Sequence, residues 1–182
     1  MITNKILSGG GLFLRQIEVN DCTASYVNWL NDSEVTRYLE VKWTIQNLET
    51  IQYFVDDQRK NEHSILFAII SKECNAHIGN IKIGPVNKYH RHADISYFIG
   101  NKTYWNRGVA TEAIGLICKF GFQELGLNKI EAGVYEPAAA SWKALEKNGF
   151  KREGVFREEV WLDGEYVSVF RYGLLKNEWK LS

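Results

Sequence analysis

The chain contains few of the residues that interrupt or cross-link a fold. Its 182 residues include two prolines, three cysteines and one methionine. Cys22, Cys74 and Cys118 are odd in number, far apart and without the spacing of a metal or redox motif. We therefore expect reduced, mostly buried thiols in a cytoplasmic protein. With no low-complexity segment and no evident linker, the sequence predicts a single domain.

The sequence also lacks an excess of charge of one sign and a long apolar run. Lys plus Arg and Asp plus Glu each number 22. The chain therefore has no net positive charge that would indicate a nucleic-acid partner. No apolar stretch approaches the length of a membrane span, and the first residues lack the layout of a signal peptide. We expect neither nucleic acid nor membrane as a partner, and both a monomer and a homodimer stay open.

The residues that are present are typical of a globular domain. Apolar residues make up 45% of the chain and charged residues 24%, which suits a protein that buries its own core. Residues 1–11 end in Ser8-Gly9-Gly10-Gly11 and predict a flexible N-terminal tail. The glycines follow no strand and precede no Lys-Ser/Thr pair, so they do not form a phosphate loop. The domain is expected over residues 12–182.

Apolar periodicity predicts a mixed α/β protein with the element order β-α-α-β-β-β-α-β-α-β-β. Antiparallel strands come first, a βαβ passage lies in the middle, and Asp163-Gly164 marks a closing hairpin. The predicted strands cover residues 12–17, 63–70, 77–83, 93–99, 129–135, 151–161 and 166–174.

The most informative stretch is a predicted strand, polar turn and helix over residues 94–113. At Asn106-Arg107-Gly108-Val109-Ala110, side chains are small or missing where the helix begins. A helix start leaves several backbone N–H groups without partners and carries a partial positive charge. An anion can approach these donors at Gly108 and Ala110, helped by Arg107. The turn therefore predicts a cradle for a pyrophosphate.

Three motifs together resemble the GNAT family of N-acetyltransferases, and most of all its RimJ/RimL branch. They are Trp105-Asn106-Arg107-Gly108-Val109-Ala110 after a strand, Ser141-Trp142-Lys143-Ala144-Leu145-Glu146-Lys147-Asn148-Gly149-Phe150, and Phe170-Arg171-Tyr172-Gly173-Leu174-Leu175 before Trp179. The resemblance covers residues 12–179. It implies a GNAT fold with a twisted, mixed and mostly antiparallel sheet of about seven strands, splayed in the middle, and about four helices.

The resemblance also implies the co-substrate and where it binds. The family uses acetyl-CoA and no metal. The pyrophosphate would bind the backbone amides of the turn and helix start, and the pantetheine arm would pair like an extra strand with the strand before the turn. The next strand, 129–135, would splay away and open a gap for acetyl transfer. The positions implied are Asn106, Arg107, Gly108, Val109, Ala110 and Thr111 for the pyrophosphate, and Tyr97, Phe98 and Ile99 for the pantetheine.

Three positions depart from the family pattern. Trp105 replaces the usual Gln or Arg at the start of the turn, and Ala138 replaces an Asn that contacts the cofactor in relatives. Leu145 stands where many relatives carry a Tyr that protonates the departing thiolate. By its position in the motif, Ser141 is implied to take this acid role, as in the RimJ/RimL branch. The alternative, equally supported by the sequence, is a Ser in the first turn of a helix without a catalytic role.

Carboxylates supply the candidate bases. Asp94 begins the strand that faces the gap, where relatives often carry a Glu; its alternative is a strand-end ion pair. Glu158 and Glu159 lie within a residue or two of the position of a catalytic Glu in RimL-like enzymes. Strand alternation lets only one of the two face the site. His90 and His92 have no third ligand at metal-binding spacing, so a solvated loop is expected there.

The expected function is transfer of an acetyl group from acetyl-CoA to a primary amine. The acceptor is either a protein N-terminus or a small amine such as an amino sugar. Contacts to it are expected from the segment that follows the first helix, beginning Asn31-Asp32-Ser33. A peptide would require an open groove between residues 31–43 and the closing hairpin, whereas a sugar would require a closed, aromatic-walled pocket. The alternative function is a catalytically weak acyl-CoA-binding or interaction module, favoured by Ala138 and Leu145.

Overall fold

The structure, a computed structural model, describes residues 5–180, and within them eight strands form one sheet. The strands are β1 Leu7–Ser8, β2 Leu12–Gln16, β3 Ile65–Ser71, β4 His77–Asn87, β5 His92–Ile99, β6 Lys129–Tyr135, β7 Lys151–Leu162 and β8 Glu165–Leu175. The helices are α1 Ala24–Asn31, α2 Ser33–Thr36, α3 Leu48–Lys60, α4 Val109–Gln123 and α5 Ala139–Lys147. Short 3-10 turns cover Val19–Asp21, Glu40–Trp43 and Lys102–Tyr104.

The sheet order is β1-β2-β3-β4-β5-β6-β8-β7. Over the described residues, β5 and β6 pair in parallel and the other neighbouring strands pair antiparallel. The parallel pair is the βαβ unit in which α4 connects β5 to β6, as parallel neighbours require a crossover. The predicted mixed α/β GNAT fold is confirmed, with eight strands instead of about seven and five α-helices instead of about four.

The two central strands separate soon after they meet. Pairing between β5 and β6 covers only His92 with Lys129, Ala93 with Ile130, and Asp94 with Glu131. Beyond these pairs β5 stays bonded to β4 up to Ile99, while β6 stays bonded to β8 up to Tyr135. The expected splay is therefore present, and its base lies at Asp94 and Glu131.

Alternating side chains give the sheet two buried faces. Ile65, Phe67 and Ile69 of β3 pack in the cluster that includes α4 and α5. Leu66 and Ala68 of the same strand pack in the cluster that includes α1 and α3. We refer to these as the α4/α5 face and the α1/α3 face. The same alternation along β5 and β6 decides which functional side chains can meet.

Local capping explains where the helices of the α1/α3 face begin. Thr23 Oγ1 accepts the N–H of Tyr26 at the start of α1. At the start of α3, Asn47 Oδ1 accepts the N–H of Thr50 and Thr50 Oγ1 accepts the N–H of Asn47. These reciprocal bonds satisfy donors that have no partner inside the helix.

The N-terminal segment differs from the expected flexible tail. Leu7–Ser8 pairs with β2, and the Gly9 N–H donates to Leu12 O at 2.9 Å. The Gly11 N–H donates to Glu112 Oε1 in the first turn of α4 at 2.9 Å. A Cβ at Gly9 would lie 2.2 Å from Glu112 Oε1, so the glycines allow this close approach. Residues 5–11 are thus folded against the domain, and residues 1–4 lie outside the described residues.

Among residues 5–180, no helix combines the length and the apolar character needed to traverse a lipid bilayer.

Candidate active site

The predicted cradle lies at the start of α4. Gly108 has φ 79°, a left-handed conformation that glycine adopts without strain, and it precedes the first helical residue, Val109. The first hydrogen bond inside the helix runs from the Glu112 N–H to Gly108 O at 3.0 Å. The N–H groups of Val109, Ala110 and Thr111 therefore precede the helical ladder. A Cβ at Gly108 would meet nothing within 4 Å, so the approach to these donors is open.

Arg107 adds a cation beside these donors. Its side chain is exposed, and its guanidinium carbon lies 5.2 Å from the centre of the Tyr104 ring. Its Nη2 lies 3.8 Å from a carboxylate oxygen of Glu73, a loose contact. The cradle thus combines backbone donors, a helix dipole and an exposed cation, which suits an anion such as a pyrophosphate.

The edge of β5 that faces the gap leads from the cradle to the base of the splay. Past Asp94 this edge has no strand beside it, because β6 has moved away. Trp105 Nε1 donates to Ile99 O at 2.8 Å and occupies the carbonyl at the cradle end. The unpaired edge available to a ligand therefore centres on Tyr97 and Phe98.

A pair of hydroxyls bridges β5 and α5 on the α4/α5 face. Tyr97 Oη lies 2.8 Å from Ser141 Oγ and 3.1 Å from the Ser141 carbonyl oxygen. When Tyr97 donates to Ser141 Oγ, the Ser141 proton is left free for another acceptor. Burial raises the pKa of Tyr97 to about 12, although the bond with Ser141 lowers it. The phenol therefore stays protonated at neutral pH.

Asp94 lies on the opposite face of β5, because it is three residues from Tyr97. Its Oδ1 accepts a hydrogen bond from Arg171 Nη2 at 2.9 Å. Arg171 belongs to β8 and pairs with Gly133, and a Cβ at Gly133 would lie 2.9 Å from Arg171 Nη1. The missing side chain at Gly133 lets the guanidinium cross β6 to reach Asp94. The ion pair predicted as the alternative role of Asp94 is present.

Glu131 lies beside Asp94 at the base of the splay. Lys129 Nζ lies 3.0 Å from its Oε1, and His92 Nδ1 lies 3.0 Å from its Oε2. Burial alone would raise the pKa of Glu131, but the hydrogen bond and charge of Lys129 outweigh it and hold the pKa below its usual value. Both carboxylates at the base of the splay therefore face cations.

Glu158 and Glu159 lie in an irregular part of β7. The pairing with β8 passes from Phe156 opposite Val169 to Val160 opposite Val167. Glu158 has φ 49°, and both glutamates are exposed. The bulge breaks the simple alternation used to predict that only one of them faces the gap. The structure does not bring either residue together with Asp94 or Ser141 through a hydrogen bond or ion pair among the described residues.

Tyr135 is the last residue of β6 and contacts the segment that follows α2. Its hydroxyl donates to Glu40 Oε1, and its ring meets the Tyr38 ring edge-on with centroids 6.2 Å apart. Lys42 Nζ lies 5.2 Å from the centre of the Tyr135 ring. Burial, with the hydrogen bond and charge of Glu40, raises the pKa of Tyr135 well above its usual value. The phenol is therefore a fixed donor to Glu40.

An open groove of about 430 Å³ lies between the segment 30–45 and the turn of the β7–β8 hairpin. Arg37 Nη2 bonds Asp163 Oδ2 at 2.7 Å, and Lys42 Nζ donates to Trp161 O at 3.3 Å. These two bonds join the segment to the hairpin. The groove is lined by Leu30, Asn31, Ser33, Thr36, Lys42, Trp43, Thr44, Ile45, Trp161, Asp163 and Gly164.

Comparison with known proteins decides the family. The profile of the acetyltransferase (GNAT) domain matches residues 11–151, more than half of the chain. The chain belongs to the GNAT family. It is an N-acetyltransferase enzyme, as the motifs around the cradle and α5 indicated.

Similar proteins support this membership over nearly the whole chain. The Bacillus subtilis (strain 168) protein YoaA, described as an uncharacterized N-acetyltransferase, is 32% identical over 94% of this chain and 97% of its own. The spermidine N(1)-acetyltransferase of Escherichia coli (strain K12) is 27% identical over 91% of this chain and 87% of its own. The structure of RimL, a ribosomal L7/L12 α-N-protein acetyltransferase in complex with CoA, superposes with TM-score 0.84 at 14% identity, covering 94% of this chain and 98% of that one.

Two departures from the GNAT motifs have clear structural positions. Leu145 is fully buried in the core and offers no proton. Ala138 is 3% exposed and immediately precedes α5, where its N–H bonds Tyr135 O at 2.9 Å.

Within residues 5–180, no group of three or more His, Cys, Asp or Glu side chains has the arrangement of a metal site.

Sequence reasoning missed the side chains that surround this GNAT gap. It assigned Tyr97 a backbone role only, and it did not select Arg171, Tyr135 or Glu40. Alternation along β5 could have separated Asp94 from Tyr97. The contact of Glu40 with Tyr135 joins residues 95 positions apart and has no local sequence signal.

Proposed function

We propose that this acetyltransferase moves the acetyl group of acetyl-CoA to the α-amine of a peptide or protein N-terminus. The observation that carries the choice of acceptor is the open groove between residues 30–45 and the hairpin turn. An extended chain can lie in such a groove and direct its end toward the gap. A cytoplasmic location and a RimJ/RimL-like specificity remain predictions that agree with this acceptor.

The donor approaches from the α4/α5 face. The N–H groups at the start of α4 bind the pyrophosphate, and Arg107 adds a positive charge beside it. The pantetheine arm pairs with the free edge of β5 at Tyr97 and Phe98. This path carries the thioester toward the hydroxyl of Ser141, which lies 2.8 Å from Tyr97 Oη.

The transfer requires one bond to form and one to break. The neutral amine nitrogen attacks the thioester carbon, a backbone N–H at the gap holds the developing oxyanion, and the carbon–sulfur bond then breaks. The amine loses a proton and the CoA thiolate gains one. Ser141 is our candidate for protonating the thiolate, with Tyr97 holding its hydroxyl in place.

The proton of the amine passes to a carboxylate, directly or through water. Asp94, Glu158 and Glu159 stay candidates for this role. The ion pair with Arg171 occupies one oxygen of Asp94, so the second oxygen is the one that can act. Because Asp94 and Ser141 lie on opposite faces of β5, base and acid would act from opposite sides of the gap.

The character of the groove favours a peptide over the other amines. Its walls mix aromatic surface at Trp43 and Trp161 with polar groups at Asn31 and Thr44. An amino sugar would fit a closed pocket better than this open channel. A polyamine would need several free carboxylates, whereas Asp163 is already paired with Arg37 and Lys42 adds a positive charge.

Release of CoA measured with three acceptor classes tests the proposal. We expect turnover with short peptides that have a free N-terminus, and far weaker turnover with spermidine or glucosamine. N-terminally blocked peptides of the same sequence are the control. Binding of CoA without turnover of any amine would instead support the acyl-CoA-binding module.

A further inference from the structure

We infer that Glu40 is the residue that binds the acceptor's amine, and that Tyr135 positions its carboxylate. The inference rests on the proposed function, because it places the amino group at one end of the groove. It adds a specificity-determining residue that neither the motifs nor strand alternation indicates.

Tyr135 and Glu40 lie at the height of the gap where the thioester is expected. Asp94 and Glu131 pair at the base of the splay, and Phe98 and Tyr135 each lie four residues further along their strands. Four residues of strand span about 13 Å. Tyr135 thus lies across the gap from Phe98, one residue beyond Tyr97 and its partner Ser141.

Glu40 also lies on the side of the sheet from which an acceptor can enter. Val41, the residue next to Glu40, packs against the cluster that includes α1 and α3. The hydroxyl pair of Tyr97 and Ser141 lies on the other face. The donor therefore occupies one side of the gap, and Glu40 offers a carboxylate on the other.

The charge of Glu40 is available to a ligand. Asp94 is paired with Arg171 and Glu131 with Lys129, but no cation within residues 5–180 forms an ion pair with Glu40. Glu40 is exposed, whereas Tyr135 is only 9% exposed. The Tyr135 hydroxyl donates a hydrogen bond to one of the two carboxylate oxygens of Glu40. An exposed carboxylate fixed by a buried phenol is preorganised to accept a hydrogen bond from an ammonium group.

The neighbours of Glu40 link it to the groove. Lys42 lines the groove, and its Nζ lies over the rings of Tyr135 and Trp43 at 5.2 and 4.7 Å. Lys42 is thus shared by the groove and the surroundings of Tyr135, and its charge disfavours a second cationic group there. Tyr38 forms a wall against Tyr135, and its hydroxyl donates to Pro137 O at 3.5 Å. One amine, followed by an uncharged chain, fits this arrangement.

Steady-state kinetics of Glu40→Gln test the inference. The variant keeps the size and one acceptor oxygen but loses the charge. We expect the KM for the amine acceptor to rise about tenfold or more, as for a lost charge-assisted hydrogen bond, while the KM for acetyl-CoA stays within twofold. Glu49→Gln, which changes an exposed carboxylate in the first turn of α3, is the matched control and should leave both constants unchanged.

Two further measurements separate binding from a merely structural role. Tyr135→Phe should raise the same KM by a smaller factor, because Glu40 keeps its charge but loses its orientation. A peptide that lacks its N-terminal amino group should inhibit wild type and Glu40→Gln with equal inhibition constants. The same peptide with its amino group should bind more tightly than the amine-free peptide in wild type, but not in Glu40→Gln.

The outcomes distinguish this inference from the proposed function. If peptides are not substrates, the proposed acceptor is wrong, and the same variants are measured with whichever amine supports turnover. If an amine is acetylated and Glu40→Gln leaves its KM unchanged, Glu40 does not bind the acceptor. Equal loss with the amine and the amine-free competitor would likewise overturn the inference.

Discussion

At the scale of single residues, the gap is defined by side chains that approach it from opposite faces. Tyr97 and Ser141 meet on the α4/α5 face, while Asp94 and Arg171 meet on the α1/α3 face. Candidate acid and base are therefore separated by the sheet itself. A thioester that lies between the two strands beside Tyr97 would have the Ser141 hydroxyl within reach.

The role of Ser141 predicts a change in turnover without a change in donor binding. Ser141→Ala should lower kcat about a hundredfold, at the modest end of general acid catalysis, with the KM for acetyl-CoA within twofold. Tyr97→Phe should lower kcat less, because the serine hydroxyl remains. Lys147→Ala, an exposed change at the other end of α5, is the control. An unchanged kcat for Ser141→Ala would remove it from the mechanism.

Residue identities alone predicted Ser141 and Asp94 but not their partners. A motif fixes which residue follows which, and Ser141 was selected as a candidate in that way. The partners depend on which strands become neighbours. Arg171 reaches Asp94 only because β8 lies beside β6 and Gly133 leaves room above it. Such contacts exist only in the assembled sheet, so they cannot be predicted from a single sequence.

At the scale of elements, the start of α4 tests whether the cradle binds the donor. Gly108 and Gly126 both have positive φ, and a Cβ at either would meet nothing within 4 Å. Alanine at either position introduces similar backbone strain, on the order of 1 kcal/mol. Only Gly108 lies at the proposed pyrophosphate site.

We therefore expect Gly108→Ala to weaken acetyl-CoA binding severalfold beyond Gly126→Ala, at similar losses of unfolding free energy. Isothermal calorimetry with CoA and chemical denaturation of both variants make the comparison. Equal CoA affinities in the two variants would show that this turn does not hold the pyrophosphate.

A second element-scale contact predicts how stability depends on pH. Arg15 of β2 bonds both oxygens of Asp21 at 2.7 and 2.6 Å. Burial alone would raise the pKa of Asp21, but the bonds from Arg15 and the Glu18 N–H hold the pKa below its usual value. The stabilisation is present above the ordinary pKa of about 3.9 and is lost as pH falls through the lowered value.

Asp21→Asn should therefore lower the free energy of unfolding by about 1–3 kcal/mol at pH 7 and reduce its dependence on pH below 4. Denaturant titrations from pH 2 to 7 measure both effects. Asp56→Asn breaks an exposed pair with Lys60 in α3, and solvent screening should make its effect on the free energy of unfolding much smaller. Equal losses from the two variants would contradict the account.

The elements themselves were largely predictable. Apolar periodicity and turn residues indicated the order of strands and helices, and the small residues at 106–110 indicated the cradle. The short strand β1 was missed because two residues carry no periodic signal. The tail was misjudged because Gly9 to Gly11 approach Glu112, a contact across 101 positions for Gly11.

At the scale of the whole molecule, the proposed arrangement divides the two substrates between the faces of the sheet. Helices α4 and α5 bound the donor side, and the segment 30–45 with the β7–β8 hairpin bounds the acceptor side. Cys22 and Cys118 are buried, and the Sγ of the exposed Cys74 lies 3.2 Å from Tyr104 Oη, beside the turn before α4. The proposed mechanism is direct transfer between two substrates that are bound together.

The most direct test is the structure of the enzyme bound to a bisubstrate ligand in which CoA is joined to the N-terminal nitrogen of a peptide. The account predicts the pyrophosphate on the N–H groups of Val109 to Thr111, the sulfur near Ser141 and the joined nitrogen near Glu40. The peptide should then lie in the groove beside Lys42 and Trp161. A ligand with its peptide on the α4/α5 face, or with its pyrophosphate away from the start of α4, would contradict it.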